Sequence, residues 1–124
     1  MTACYINGKY KTLSKSLISV TDRGFQFSDG VYEVIAIYNN KFVDENLHLN
    51  RLRTSLNKLN IKINLSIKQI QNISHKIKKL NKISNGIIYL QVTRGDQHPR
   101  DHKYKNIMKP NIVIYSIKKD FKKL

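Results

Sequence analysis

Hydrophobic periodicity switches twice along this chain, and that switch restricts the folds open to it. The stretch VYEVIAIYNNKFV alternates with period two: Val31, Glu33, Ile35 and Ile37 fall on one face, and Tyr32, Val34, Ala36 and Tyr38 on the other. That is a strand with two unlike faces, turned by Asn39-Asn40 into a short partner at Lys41 to Val43. Leu49, Leu52, Leu56 and Leu59 then recur at the spacing of a helical stripe, with Asp44 placed to cap it. Ser66-Ile67-Lys68-Gln69 reads as a capping box opening a second helix, whose stripe is Ile70, Ile73, Ile77 and Leu80. After Asn85-Gly86 the pattern returns to strand. IIYLQVTR is nearly all apolar, which predicts a central place in a sheet, and NIVIYSI follows Pro110. At the start, ACYINGKYKTL reads as a hairpin around Asn7-Gly8, and DRGFQFSDG as loop. The tail KKDFKKL reads as a linker or frayed end.

Strands, two helices, then strands predict an α+β fold: a two-layer domain with a mainly antiparallel sheet and two helices packed on one face. At 124 residues the chain makes one modest domain. It has no apolar run long enough for a membrane and no signal-like start. The single Cys4 excludes an internal disulfide framework, fits a reducing cytoplasm, and is expected to pack as a small half-buried residue.

The net charge of +15 raises the question of nucleic acid. Composition answers it: 18 lysines, 17 isoleucines and 13 asparagines share A/T-rich codons, so lysine stands wherever a solvated surface tolerates it. The lysines are scattered and no aromatic residues interleave with them as a stacking platform, so no specific nucleic-acid partner is expected. Against that background the five arginines, Arg23, Arg51, Arg53, Arg94 and Arg100, carry information. Where lysine is the default cation, arginine marks sites that use a planar fork against phosphate or carboxylate.

Three polar groupings could converge. Tyr32 stands on the face of its strand opposite Ile35 and Ile37. Arg51 follows His48 by one helical turn. Arg100-Asp101-His102 lies in the loop after Thr93-Arg94-Gly95. Each has a plain structural reading as a packing tyrosine, a solvated helix-edge charge, or an exposed polar loop. Together they support an anion site. Four scattered histidines and one cysteine give no metal-ligand spacing, and no glycine-rich phosphate loop is present.

DRGFQFSDGVYEVIAIYNNKF, HLNRL, YLQVTRG, RDH and KPNIVIYSIK occur here in the order and context of one family. The chain resembles the N-terminal domain of fold-type IV pyridoxal-phosphate enzymes, and within them the bacterial D-amino-acid aminotransferases. The resemblance implies pyridoxal 5'-phosphate as cofactor, with Arg51 of HLNRL holding its phosphate. It implies that Tyr32, Arg100 and His102 bind the substrate carboxylate, with Val34 and Ala36 lining the pocket. The Arg100/His102 loop would reach across from the second subunit of a homodimer. The substrates implied are D-amino acids and 2-oxo acids. Ala36 departs from the lysine of the D-alanine relative compared, and the loop between Arg94 and Arg100 is one residue longer. Asp22, Arg23 and Gly24 match a structural turn braced by a local ion pair.

The family's chemistry depends on a lysine bound covalently to the cofactor and a carboxylate at the pyridine nitrogen. Both belong to a second domain. Residues 1–117 are accordingly expected to form the N-terminal domain and 118–124 to begin an interdomain linker. The resemblance implies that the catalytic-lysine domain is absent from this chain, so no catalytic residue is assigned here and the chain alone is expected to be inactive. Alternatives are a branched-chain aminotransferase, an aminodeoxychorismate lyase, or a non-catalytic basic domain that binds polyanions.

Overall fold

The computed structural model describes residues 2–123. Among them, β1 (Ala3–Ile6) and β2 (Lys9–Thr12) form the hairpin, and a short helix α1 (Arg23–Phe27) precedes the long strand β3 (Gly30–Tyr38). Then come β4 (Lys41–Phe42), the helices α2 (Glu45–Leu59) and α3 (Ile67–Leu80), and the strands β5 (Gly86–Thr93) and β6 (Asn111–Lys118). The six strands make one sheet in the order β2-β1-β6-β5-β3-β4, every pairing antiparallel. β5 and β6 lie inside the sheet, as an apolar strand requires. The protein is therefore α+β, with α2 and α3 covering one face.

Period two decides what each face carries. Glu33, Ile35 and Ile37 of β3 point under the helices, beside Ile88, Leu90 and Val92 of β5 and Ile112 and Ile114 of β6, all buried. Leu49, Leu52 and Leu56 of α2 and Ile70 and Ile77 of α3 close this core from above. Each such side chain stabilises the fold by about 1.5–3 kcal/mol through burial. The opposite face has no helix over it and holds Tyr32, Val34 and Tyr38, all exposed. No helix among the described residues is long and apolar enough to cross a membrane.

Several local expectations are corrected. DRGFQFSDG is not all loop, because Asp22 caps α1 by accepting from the Phe25 amide, and Ser28 ends it in the left-handed region. Asp44 does not cap α2 with its side chain: its φ of 53° is left-handed, whereas a capping residue ordinarily keeps extended backbone. Glu45, in the first turn, instead accepts from Gln71 and engages His75 of α3. Leu59 and Leu80, at the ends of their stripes, are exposed, while Ser74 is buried with its hydroxyl donating to the Ile70 carbonyl. Cys4 is fully buried rather than half-buried. The Ser66–Gln69 capping box is present in full. Within the tail, Phe121–Lys123 forms a short 3-10 turn.

Candidate functional site

Glu33 is the one carboxylate that β3 turns toward the helices, and it is 3 % exposed. A buried charge needs partners, and α2 supplies two from one edge. Arg51 donates through Nε to Oε2 and through Nη2 to Oε1, both at 2.8 Å. His48, one turn earlier, places Nδ1 2.7 Å from the same Oε1. Burial pushes Glu33 up, but the hydrogen bonds from Arg51 and His48 outweigh it and hold the carboxyl below its usual range. Its own bonds to Glu33, and that carboxylate's charge, raise the Arg51 guanidinium above its ordinary value, with a smaller contribution from the Tyr32 phenol.

Two donors on one edge of the Arg51 fork are thus spent on Glu33, yet its side chain is 68 % exposed. The remaining N–H groups, on Nη1 and the second position of Nη2, are open to an anion from solution. The arrangement fits a phosphate monoester: a planar cation, orientation fixed from below, donors directed outward.

Tyr32, Val34 and Ala36 lie along β3 on the face without helices. There Tyr32 stacks on Tyr89 of β5 at 6.0 Å between ring centroids, and Tyr89 meets Tyr115 of β6 at 5.3 Å. Burial pushes the Tyr89 phenol up, with the neighbouring tyrosines adding to it; its hydroxyl donates to Gln91. Tyr89 was missed as a pocket candidate, although the alternation of IIYLQV places it on the same face as its register partner Val34.

Arg100 and His102 sit in the loop between β5 and β6, both exposed, and both meet one aromatic ring. The Arg100 guanidinium lies 4.3 Å from the centroid of Phe27, and the His102 ring 5.0 Å from it. Among the described residues no hydrogen bond or ring contact joins either of them to Tyr32 within the chain. The structure brings together Tyr32, Val34 and Ala36 on one face, places Arg51 on the edge of α2, and sets Arg100 and His102 apart, in the β5–β6 loop against Phe27 of α1.

Beneath that loop lies the ion pair expected near Asp22-Arg23-Gly24. Its carboxylate is Asp29: Oδ2 accepts from Arg23 Nε and from Arg94 Nε, each at 2.8 Å. Burial raises Asp29, the bonds from Arg94 and Arg23 outweigh this, and the carboxyl stays below its usual range. Asp22 accepts from Thr93 and Asn111, tying α1 to the strand ends.

Residues 30–120 match the family model described as Amino-transferase class IV. The chain is 40 % identical over 97 residues to the D-alanine aminotransferase of Listeria monocytogenes, covering 78 % of this chain and 34 % of that protein. This chain belongs to the class IV aminotransferases. A D-alanine aminotransferase of Staphylococcus aureus is 34 % identical over 117 residues, 94 % of this chain and 41 % of that one. The class IV chain thus spans 34 % to 41 % of the length of these curated relatives. In shape it matches the Escherichia coli branched-chain amino acid aminotransferase at a TM-score of 0.87 and 15 % identity, over 94 % of this chain and 39 % of that one. The branched-chain aminotransferase of the archaeon Thermoproteus uzoniensis, solved with norvaline, gives 0.81 at 15 %, over 94 % and 40 %. At such identities the likeness shows the fold: this is the fold of the N-terminal part of class IV aminotransferases. The family implies pyridoxal phosphate as the cofactor of its chemistry.

Proposed function

We propose that this chain supplies the phosphate ligand and the substrate-carboxylate contacts of a pyridoxal-phosphate-dependent D-amino-acid transaminase, exchanging amino groups between D-alanine-like amino acids and 2-oxo acids. The observation that carries the reading is Arg51, a guanidinium locked from below by Glu33 and open above. The D-alanine aminotransferases at 34–40 % identity support the D-amino-acid branch over the branched-chain one, whose members share the fold at 15 % identity.

In this reading the cofactor, when bound, serves as the sink for electrons released as the substrate's Cα–H bond breaks. Arg51 donates to its phosphate and fixes its place. Tyr32 donates its phenol to the substrate carboxylate, joined by Arg100 and His102 from the loop of a second copy in a homodimer. Val34 and Ala36 exclude water along the floor of the pocket. The short Ala36 leaves room where the compared relative has lysine, so the substrate side chain can be bulkier there. The resemblance assigns neither the covalently bound lysine nor the carboxylate at the pyridine nitrogen to any of these 124 residues. Alone, the chain therefore carries out no amino-group transfer.

The test has two parts. The chain with pyridoxal phosphate, D-alanine and 2-oxoglutarate should yield no pyruvate; turnover would overturn the assignment of the missing groups. In the full-length enzyme that contains this sequence, D-alanine should outperform L-alanine as donor. Arg100→Ala and His102→Ala should each raise KM for the amino acid at least tenfold. Preference for L-donors would favour a branched-chain activity instead, and unchanged KM values would remove the carboxylate role of the loop.

A further inference from the structure

Arg23 turns every nitrogen of its side chain to partners within the chain. It is 4 % exposed, lies 4.5 Å from the centroid of the Phe27 ring, and commits three of its nitrogens. Nε holds Asp29 at 2.8 Å, Nη1 donates to the carbonyl of Asp101 at 2.5 Å, and Nη2 donates to the carbonyl of His102 at 2.9 Å. Those carbonyls belong to the two residues that follow Arg100. A second brace comes from buried Gln97, whose Nε2 donates to the carbonyl of Lys103 at 3.1 Å. A third is Arg94, fixed by Asp29 and the Leu59 carbonyl, with its guanidinium 3.7 Å from the centroid of Tyr104. The tip of a long, exposed, polar loop is thus gripped by its backbone from a buried ion pair, while its two candidate ligand side chains rest on Phe27.

We propose that Arg23, oriented by Asp29, is a positioning residue that presets the Arg100–His102 loop within each subunit, before any second copy or substrate is present. The inference rests on the carboxylate reading of that loop given above. A loop ordered only by docking would lose conformational entropy at the moment of binding. A backbone held by carbonyl bonds to a buried guanidinium has lost it already, on folding. Only arginine can do this here, because lysine has no fork to span a carboxylate and two successive carbonyls.

The isolated 124-residue chain is sufficient for the test, read by backbone amide relaxation and side-chain NMR. In the wild type, order parameters at 100–103 should match the sheet, near about 0.85, and the Arg100 side-chain protons should be shifted upfield by the Phe27 ring. Arg23→Lys should drop the loop below about 0.6 and abolish the upfield shift, while β5 and β6 keep wild-type values. Phe27→Leu should remove the shift and leave the order. A loop already mobile in the wild type, or one equally ordered in Arg23→Lys, overturns the proposal. Should Arg23→Lys fail to fold, the wild-type order and the Arg100 shift decide alone. A rigid, pinned loop whose Arg100 and His102 variants leave KM unchanged would instead sink the carboxylate reading and spare the positioning one.

Discussion

The carboxylate of Glu33, nearly closed to solvent, holds the exposed guanidinium of Arg51 by two parallel bonds of 2.8 Å from β3 to α2. One interaction thereby serves two ends. It neutralises a charge placed on the apolar side of the sheet, and it turns a flexible helix-edge arginine into a rigid donor. Glu33→Gln keeps the shape but removes the charge and one acceptor. It should destabilise the chain by about 1.5–3 kcal/mol, the size of hydrogen bonds to charged groups, measured as a lower urea midpoint at unchanged m-value.

Arg51→Lys separates the two ends. A lysine keeps the positive charge but can neither pair with Glu33 through a fork nor present fixed donors outward. In the full-length enzyme, pyridoxal phosphate should bind at least tenfold more weakly to Arg51→Lys, read by the absorbance of the bound cofactor. Unchanged affinity would mean that the phosphate lies elsewhere.

Glu33 and Asp29 also set an acid limit. Both carboxyls are held below their ordinary values in the fold. Their contribution is therefore complete above the unfolded-state values, about 4.3 for Glu and 3.9 for Asp, and is lost as pH falls through the lower folded values. The urea midpoint should be flat from about pH 7 to 5 and fall steeply below about 4. Glu33→Gln and Asp29→Asn should each shallow that fall, since the substituted residue no longer titrates. An equal slope in both variants would show that other acids govern it.

Asp29→Asn should be the most damaging of the polar substitutions. Arg23 and Arg94 are 4 % and 6 % exposed and share the same carboxylate oxygen. Neutralising it leaves two buried like charges facing one group, a loss on the order of 3–5 kcal/mol. A urea midpoint lowered by that amount at neutral pH would fit; a change under about 1 kcal/mol would not.

What the sequence discloses and what it hides divide along a physical line. The period-two face of β3, the Leu stripe of α2 and the Ser66–Gln69 box depend on neighbours in sequence, and each could be read there. So could the oddity of Glu33, a charge among Val31, Ile35 and Ile37. Its partners could not, because Arg51 lies 18 residues away on another element and Arg94 lies 65 from Asp29. α1 was hidden for the same reason. Five residues, RGFQF, are too few for a stripe, and the helix depends on Asp22, itself held by Thr93 and Asn111. The arginines announced forks without saying which anion each would meet; for three of the five it is a carboxylate of the chain itself.

Gly95, the residue that turns the chain out of β5 into the loop, provides the last prediction. Its φ is +110°, a region that residues with a Cβ rarely adopt, and a Cβ there would come 2.0 Å from the Lys109 carbonyl oxygen. Backbone at both ends of the loop meets at this point, and the Gly95 carbonyl also accepts from the Arg23 amide at 2.9 Å. Gly95→Ala must therefore move Lys109 or the start of α1, and with it the guanidinium that grips Asp101 and His102. A loss of at least about 2 kcal/mol is expected from strain and overpacking together. Hydrogen exchange should quicken first at residues 97–104 and only later in β5 and β6. Uniform quickening across the sheet would instead show that the loop and the core open as one unit.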